Sequence, residues 1–174
     1  SERVAKYAVA IGEELGLSES DLAVIQTGGL LHDLGKVGIP ETILNKPGRL
    51  TEDEFAVMRQ HAALGERILS DVEQLQGVAR IVGEHHERYD GTGYPSQKPA
   101  GTISLGGRII ALADAMDAIL STRPYSEGRS LEWALDEVDR CAGTHFDPDV
   151  VAALHRVKAR RGQDFFSAPE TPEV

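Results

Sequence analysis

Six side chains able to hold a metal ion lie on or beside apolar runs of this sequence: His32, Asp33, His61, His85, His86 and Asp114. Singly, each has an ordinary explanation. A lone histidine such as His61 is more often a packing residue than a ligand, and one histidine at a helix C-terminus is favoured by the dipole. Two in succession, His85 and His86, ahead of the stiff turn Gly93-Tyr94-Pro95, suggest a site. Asp114 interrupts the apolar run 109–116, where a carboxylate is costly to bury unless it is paired or bound to a cation.

Together the six suit a two-metal centre. Imidazoles and carboxylates without thiolates favour iron, manganese or zinc over calcium. Asp33, beside a histidine, is the candidate bridge, because a carboxylate can offer one oxygen to each of two ions. Adjacent helical residues point about 100° apart, so His32 with Asp33, and His85 with His86, can each serve two directions. Two ions roughly 3.5–4 Å apart clamp a phosphate and hold a hydroxide for in-line attack on phosphorus. Lys36 falls one turn beyond His32 and Asp33, close to the same face. It reads equally as a phosphate clamp or as a surface lysine favoured by a helix C-terminus. Arg123, which ends another helix, has the same two readings.

Helices must bring these residues together. Val4, Ala8, Ile11 and Leu15 recur at helical spacing and predict a first helix ending near Gly16. Ser18 caps a second, with Leu22, Ile25, Leu30 and Leu31 apolar, which runs into His32-Asp33-Leu34-Gly35-Lys36. Gly38-Ile39-Pro40 breaks the pattern, a short helical turn reaches Leu44, and Lys46-Pro47-Gly48 turns the chain. Thr51 with Glu54 forms a capping box for a helix carrying Phe55, Met58, His61, Leu64 and Ile68. Another helix covers about 74–87 and closes on the histidine pair. Segment 88–104 has glycines, prolines and little periodicity, and reads as a functional or mobile loop. Helices over 105–120, from Ser130 through Cys141, and from Asp147-Pro148 onward complete the pattern. No segment alternates as a strand. The fold class is therefore all-α, a bundle of about seven helices around the metal centre. Residues 1–166 read as one domain and 167–174 as a disordered tail of acidic residues and prolines.

Composition bounds the function. The 174 residues are 41% hydrophobic and 26% charged, enough for one soluble domain with its own core. The net charge of −10 argues against a nucleic-acid polymer as partner. It leaves room for a small anionic substrate, since bound cations invert the local field. A single cysteine, Cys141, excludes an internal disulfide and a thiolate zinc cluster, and reads as a buried or half-buried helix residue. No signal peptide and no apolar run near ~18 residues is present, which predicts a cytoplasmic chain without membrane contact. The sequence opens at Ser1 in a helical pattern and without methionine, as a segment of a longer protein would.

At its motifs the sequence resembles the HD-GYP phosphodiesterases of the HD hydrolase superfamily. The matching stretches are Leu30-Leu31-His32-Asp33-Leu34-Gly35-Lys36-Val37-Gly38-Ile39-Pro40, the segment 43–51, His61, then His85-His86-Glu87-Arg88-Tyr89-Asp90-Gly91-Thr92-Gly93-Tyr94-Pro95. Asp114 in the segment 113–118, Arg123-Pro124-Tyr125 and the segment 143–148 follow in family order. The resemblance implies an all-helical fold and two or three divalent ions, iron or manganese foremost. It also implies hydrolysis of cyclic di-GMP to pGpG or onward to GMP. By position the ligands would be His32, Asp33 as bridge, His61, His85, His86 and Asp114. Asp33 and Lys36 would be the catalytic pair, Lys36 touching phosphate or the bridging water. Gly93, Tyr94 and Pro95 would shape the substrate pocket and Arg123 would meet a phosphate. An N-terminal receiver or sensor domain is usual for the resemblance, and a homodimer is compatible with it.

Three places depart from the family pattern. A first-helix histidine would fall one residue before Ser1; Ser126 stands where a basic residue is frequent; and the segment 96–101 lacks the usual Gly-Leu pattern. These departures leave two other readings beside the phosphodiesterase. One is a weakly active or inactive module that senses cyclic di-GMP or docks a partner, since fold alone does not establish activity. The other is a different HD-type phosphohydrolase acting on nucleoside mono- or triphosphates.

Overall fold

The computed structural model describes residues 1–121 and 128–167. Its α-helices are α1 (Glu2–Glu14), α2 (Glu19–Leu31), α3 (Glu41–Leu44), α4 (Glu52–Met58), α5 (Gln60–Ser70), α6 (Gln76–Glu84), α7 (Leu105–Leu120), α8 (Leu131–Arg140) and α9 (Pro148–Arg161). Short 3₁₀ segments occupy Leu34–Gly38, Glu73–Leu75, Ala100–Thr102 and Gln163–Phe166. Among the described residues no strand forms, and the all-α expectation holds.

The most apolar stretch of sequence becomes the helix against which α1, α2, α6, α8 and α9 pack. In α7, Ile109, Ile110, Leu112, Ala113 and Met116 are fully buried, as expected of a helix that is apolar around most of its circumference. Tyr7 and Ile11 of α1, Val138 of α8 and Leu154 of α9 close over it in one core. Each such aliphatic side chain contributes roughly 1.5–3 kcal/mol on burial, most of it offset by the entropy of ordering the chain. A second apolar cluster joins Leu69 of α5 to Val78, Ala79 and Val82 of α6, with Val24 of α2 against it. These two clusters hold together the helix ends that carry His32, Asp33, His61, His85 and His86 and the middle of α7, which carries Asp114.

The helix starts follow the sequence. Ser18, Ser104 and Ser130 each accept a backbone N–H of the helix they precede, Thr51 and Glu54 complete the capping box, and Asp147 caps α9 with Pro148 in its first turn. The stops differ. The helix expected from Thr51 past His61 is two helices, separated at Arg59. The helix expected to close on the histidine pair ends at Glu84, so His85 and His86 lie in the turn beyond it. After Leu31 the chain tightens from α to 3₁₀. Cys141 sits half-buried at the end of α8, as a free thiol. No described helix is long and apolar enough to cross a membrane.

Candidate metal centre

Three helix ends deliver the histidines, and the reason is local. The last carbonyls of a helix have no partner within it. His32 Nδ1 takes the Gly29 carbonyl at 2.8 Å, His85 Nδ1 takes that of Val82 at 2.6 Å, and His61 Nδ1 takes that of Met58, the last residue of α4, at 2.7 Å. Each ring therefore donates from Nδ1 and turns a basic Nε2 the other way. This is how metal-ligating histidines are usually oriented from behind.

The free nitrogens converge. His61 Nε2 and His85 Nε2 are 3.4 Å apart. The ligand atoms of His61, His85 and His86 all lie within 4.8 Å of one another, a spacing that could hold a metal ion. His32 Nε2 stands 3.5 Å from Asp114 Oδ1 and 3.5 Å from Asp33 Oδ2, while the other Asp33 oxygen faces His61 Nε2 at 3.7 Å. Asp33 thus lies between two donor groups, His32 with Asp114 on one side and His61, His85 and His86 on the other. All six residues singled out by type come together.

Protonation fits cation binding. Burial pushes the His85 imidazole down to about 4, and burial likewise lowers His61 and His86, so these rings are neutral bases at neutral pH. For His32 burial also works against charge, but the carboxylates of Asp114 and Asp33 outweigh it and its pKa rises. Burial opposes ionisation of Asp33 and Asp114 too. Lys36 and His32 nevertheless hold Asp33 below the usual carboxylate range, and His32 does the same for Asp114. Lys36 owes its place to the 3₁₀ turn, where residues three apart eclipse; its Nζ is 2.7 Å from Asp33 Oδ2.

Two motif glycines are needed for close approach. A Cβ on Gly35 would fall 1.9 Å from the His61 carbonyl oxygen and 2.5 Å from the Gly65 nitrogen. A Cβ on Gly93 would meet Arg88 N at 2.3 Å and the His86 carbonyl at 2.6 Å. The first lets the 3₁₀ segment carrying Lys36 touch the helix of His61. The second lets the loop lie on the histidine turn. There Tyr94 N donates to the His86 carbonyl at 3.1 Å, the Tyr94 ring stacks on His86, and the Tyr94–Pro95 bond is cis.

Sequence reasoning missed the two glutamates that hold this loop. Glu87, 3% exposed, accepts Ser96 N at 2.6 Å and Lys98 N at 3.0 Å. Glu84, 1% exposed, accepts Ser104 N at 2.7 Å and pairs with Lys98 and Arg80. The signal was available: a loop dense in glycine and proline must place its backbone N–H groups somewhere, and two carboxylates flank the histidine pair. Arg123 and Ser126 lie outside the described residues, as does the tail from 168.

A family profile described as HD domain matches residues 1–150. The chain belongs to the HD domain family. Among curated proteins, this HD domain is 43% identical over 99% of its length to the cyclic di-GMP phosphodiesterase response regulator RpfG of Xanthomonas campestris. It is 44% identical over 91% of its length to a cyclic di-GMP phosphodiesterase of Thermotoga maritima. It spans 47% and 44% of those two proteins, about half the length of each. Among solved structures, a cyclic GMP-AMP specific phosphodiesterase of Vibrio cholerae superposes with a TM-score of 0.73 at 21% identity, over 98% of this chain and 45% of that one. That likeness bears out the helical HD fold.

Proposed function

We propose that this HD domain is a metal-dependent phosphodiesterase that hydrolyses cyclic di-GMP to pGpG, with GMP as the further product. The observation that carries the reading is the placing of Asp33 between two sets of basic nitrogens and carboxylates. In this reading His32 and Asp114 hold one ion, His61, His85 and His86 hold another, and Asp33 is shared. The donor set fits manganese or iron, with two or three ions per domain. Such ions supply charge neutralisation on phosphate and a nucleophile at neutral pH.

The chain's own groups do the rest. Lys36, already beside Asp33, reaches the phosphate that enters the centre. Tyr94, with Gly93 and Pro95, walls the pocket. Arg123 meets the scissile or the second phosphate. The closely similar curated relatives, named for cyclic di-GMP hydrolysis, support the substrate class. The Xanthomonas relative is named a response regulator, which supports a receiver or sensor domain joined to residues 1–166 in a longer protein.

The test is incubation of the manganese- or iron-loaded protein with cyclic di-GMP, followed by chromatography of the products. Accumulation of pGpG or GMP is expected. Tight binding without product would make the domain a sensing module, and a mononucleotide that outcompetes the cyclic dinucleotide would make it another phosphohydrolase.

A further inference from the structure

Beyond the ring of ligands, a groove of about 650 Å³ opens along the wall formed by His86 and Tyr94. Phe55, Arg59, Arg88, Gln97 and His145 line its other sides. Its volume is that of a small-molecule site. Neither the donor set nor the loop clamps account for these residues.

Two basic side chains face it, and they are not equivalent. Arg88 is spent on Asp90, through Nε to Oδ1 at 3.1 Å and Nη2 to Oδ2 at 2.7 Å. Arg59 makes no ion pair among the described residues. Its guanidinium lies 4.4 Å from the Phe55 ring centre and 5.4 Å from that of Tyr94. A guanidinium resting on aromatic faces keeps its N–H edge free for a ligand. Phe55 is 40% exposed, a large apolar ring with no core to join. His145 stacks on Phe146 with planes 8° apart and adds another flat surface.

The rim is held in an unusual shape. Gln97 has φ of 53°, in the left-handed region, and its neighbours on both sides are tied to Glu87 by their backbone nitrogens. Strain of this kind persists where surrounding contacts over-determine it, and it concentrates at ligand sites. Flat walls and a free planar donor fork suit a nucleobase better than a second phosphate. Guanine presents two acceptors, O6 and N7, to such a fork, whereas adenine presents one acceptor and one donor. The Gln97 amide both donates and accepts, so it does not discriminate between the two.

We propose that this groove is a guanine subsite, in which Arg59 reads O6 and N7 of one base while the phosphate of the same ligand sits at the metal centre. The inference rests on the cyclic dinucleotide reading above and adds a specificity-determining residue to it. One bidentate arginine–guanine pair is worth about 1–3 kcal/mol of discrimination, roughly fivefold to 150-fold in affinity.

The experiment is calorimetric titration of the manganese-loaded wild type, R59A and R59K with hydrolysis-resistant bis-phosphorothioate analogues of cyclic di-GMP and cyclic di-AMP. Arg59 is exposed at the junction of α4 and α5, and matching melting curves verify that the variants fold. Wild type is expected to prefer the guanine ligand at least about fivefold. R59A should bring the ratio near one by weakening the guanine ligand, and R59K should fail to restore it, because lysine lacks the fork. An unchanged ratio in R59A, or equal loss for both ligands as from a phosphate contact, overturns the guanine subsite. Equal affinity of wild type for both ligands also overturns it while leaving the phosphodiesterase reading intact. Wild type that binds neither ligand overturns both.

Discussion

Tyr94 stacks on His86, ring centres 4.7 Å apart and planes 30° apart. One face of the pocket wall is therefore also one edge of the candidate metal centre. What binds in the groove and what binds the ions press on the same imidazole.

Replacing Tyr94 separates the stack from the hydroxyl. An aromatic pair of this geometry is worth ~0.5–1.5 kcal/mol. Tyr94→Phe keeps the stack, so its KM for cyclic di-GMP should stay within about twofold of wild type. Tyr94→Ala should raise KM about twofold to tenfold. Steady-state kinetics on both variants checks this, and a Tyr94→Phe as impaired as Tyr94→Ala would shift the role to the hydroxyl.

Gly35→Ala tests the close approach behind the His-Asp-x-Gly-Lys motif. The added methyl meets the backbone of α5 rather than a movable side chain. Overpacking against backbone should cost at least about 2 kcal/mol. Urea unfolding measures it, and manganese binding should weaken with it because Asp33 and His61 can no longer keep their spacing.

Glu84 makes stability depend on pH. Burial opposes its charge, but Lys98, the Ser104 backbone N–H and Arg80 outweigh burial and lower its pKa from 4.5. A carboxylate depressed on folding contributes stability that is present above the unfolded value and lost as pH falls through the folded one. Hydrogen bonds to charged groups contribute about 1.5–3 kcal/mol. Glu84→Gln should therefore be less stable than wild type by about that much at pH 7, with the gap narrowing below pH 4.5. Unfolding curves across this range test it; a gap that stays constant with pH would remove the charge from the explanation.

Metal binding should release few protons. His61, His85 and His86 are already neutral at pH 7 because burial lowers them, whereas the paired carboxylates raise His32. Among the ring ligands only His32 has a raised pKa, so affinity should fall as pH drops through it, the histidines together giving up at most about one proton and any metal-bound water that ionises adding its own. Calorimetry of manganese binding in buffers of different ionisation enthalpy gives the number directly. Three or four protons would show that the rings are charged before the metal arrives.

That the six candidate side chains cluster was legible because they are metal-capable types on or beside apolar runs, Asp114 within the apolar α7 above all. The helix starts were legible because serine, threonine and aspartate caps are local chemistry. The stops were less so. His32, His61 and His85 capture carbonyls at helix ends, and the turns at Asp33, Arg59 and His85 arise in that setting, which periodicity does not encode. Glu87 reaches Ser96 and Lys98 across the loop, and the rings of Phe55 and Tyr94 meet Arg59 only in the fold. Pairings of that kind depend on where the elements pack, not on spacing along the chain.

The most direct test of the shared centre is manganese content after reconstitution, measured on wild type and Asp33→Ala alongside cyclic di-GMP hydrolysis. Wild type should hold two or more ions per chain. Asp33→Ala should lose at least one of them and fall at least about a hundredfold in turnover. A variant with wild-type metal content and wild-type turnover would contradict the placing of Asp33 between the two ligand groups.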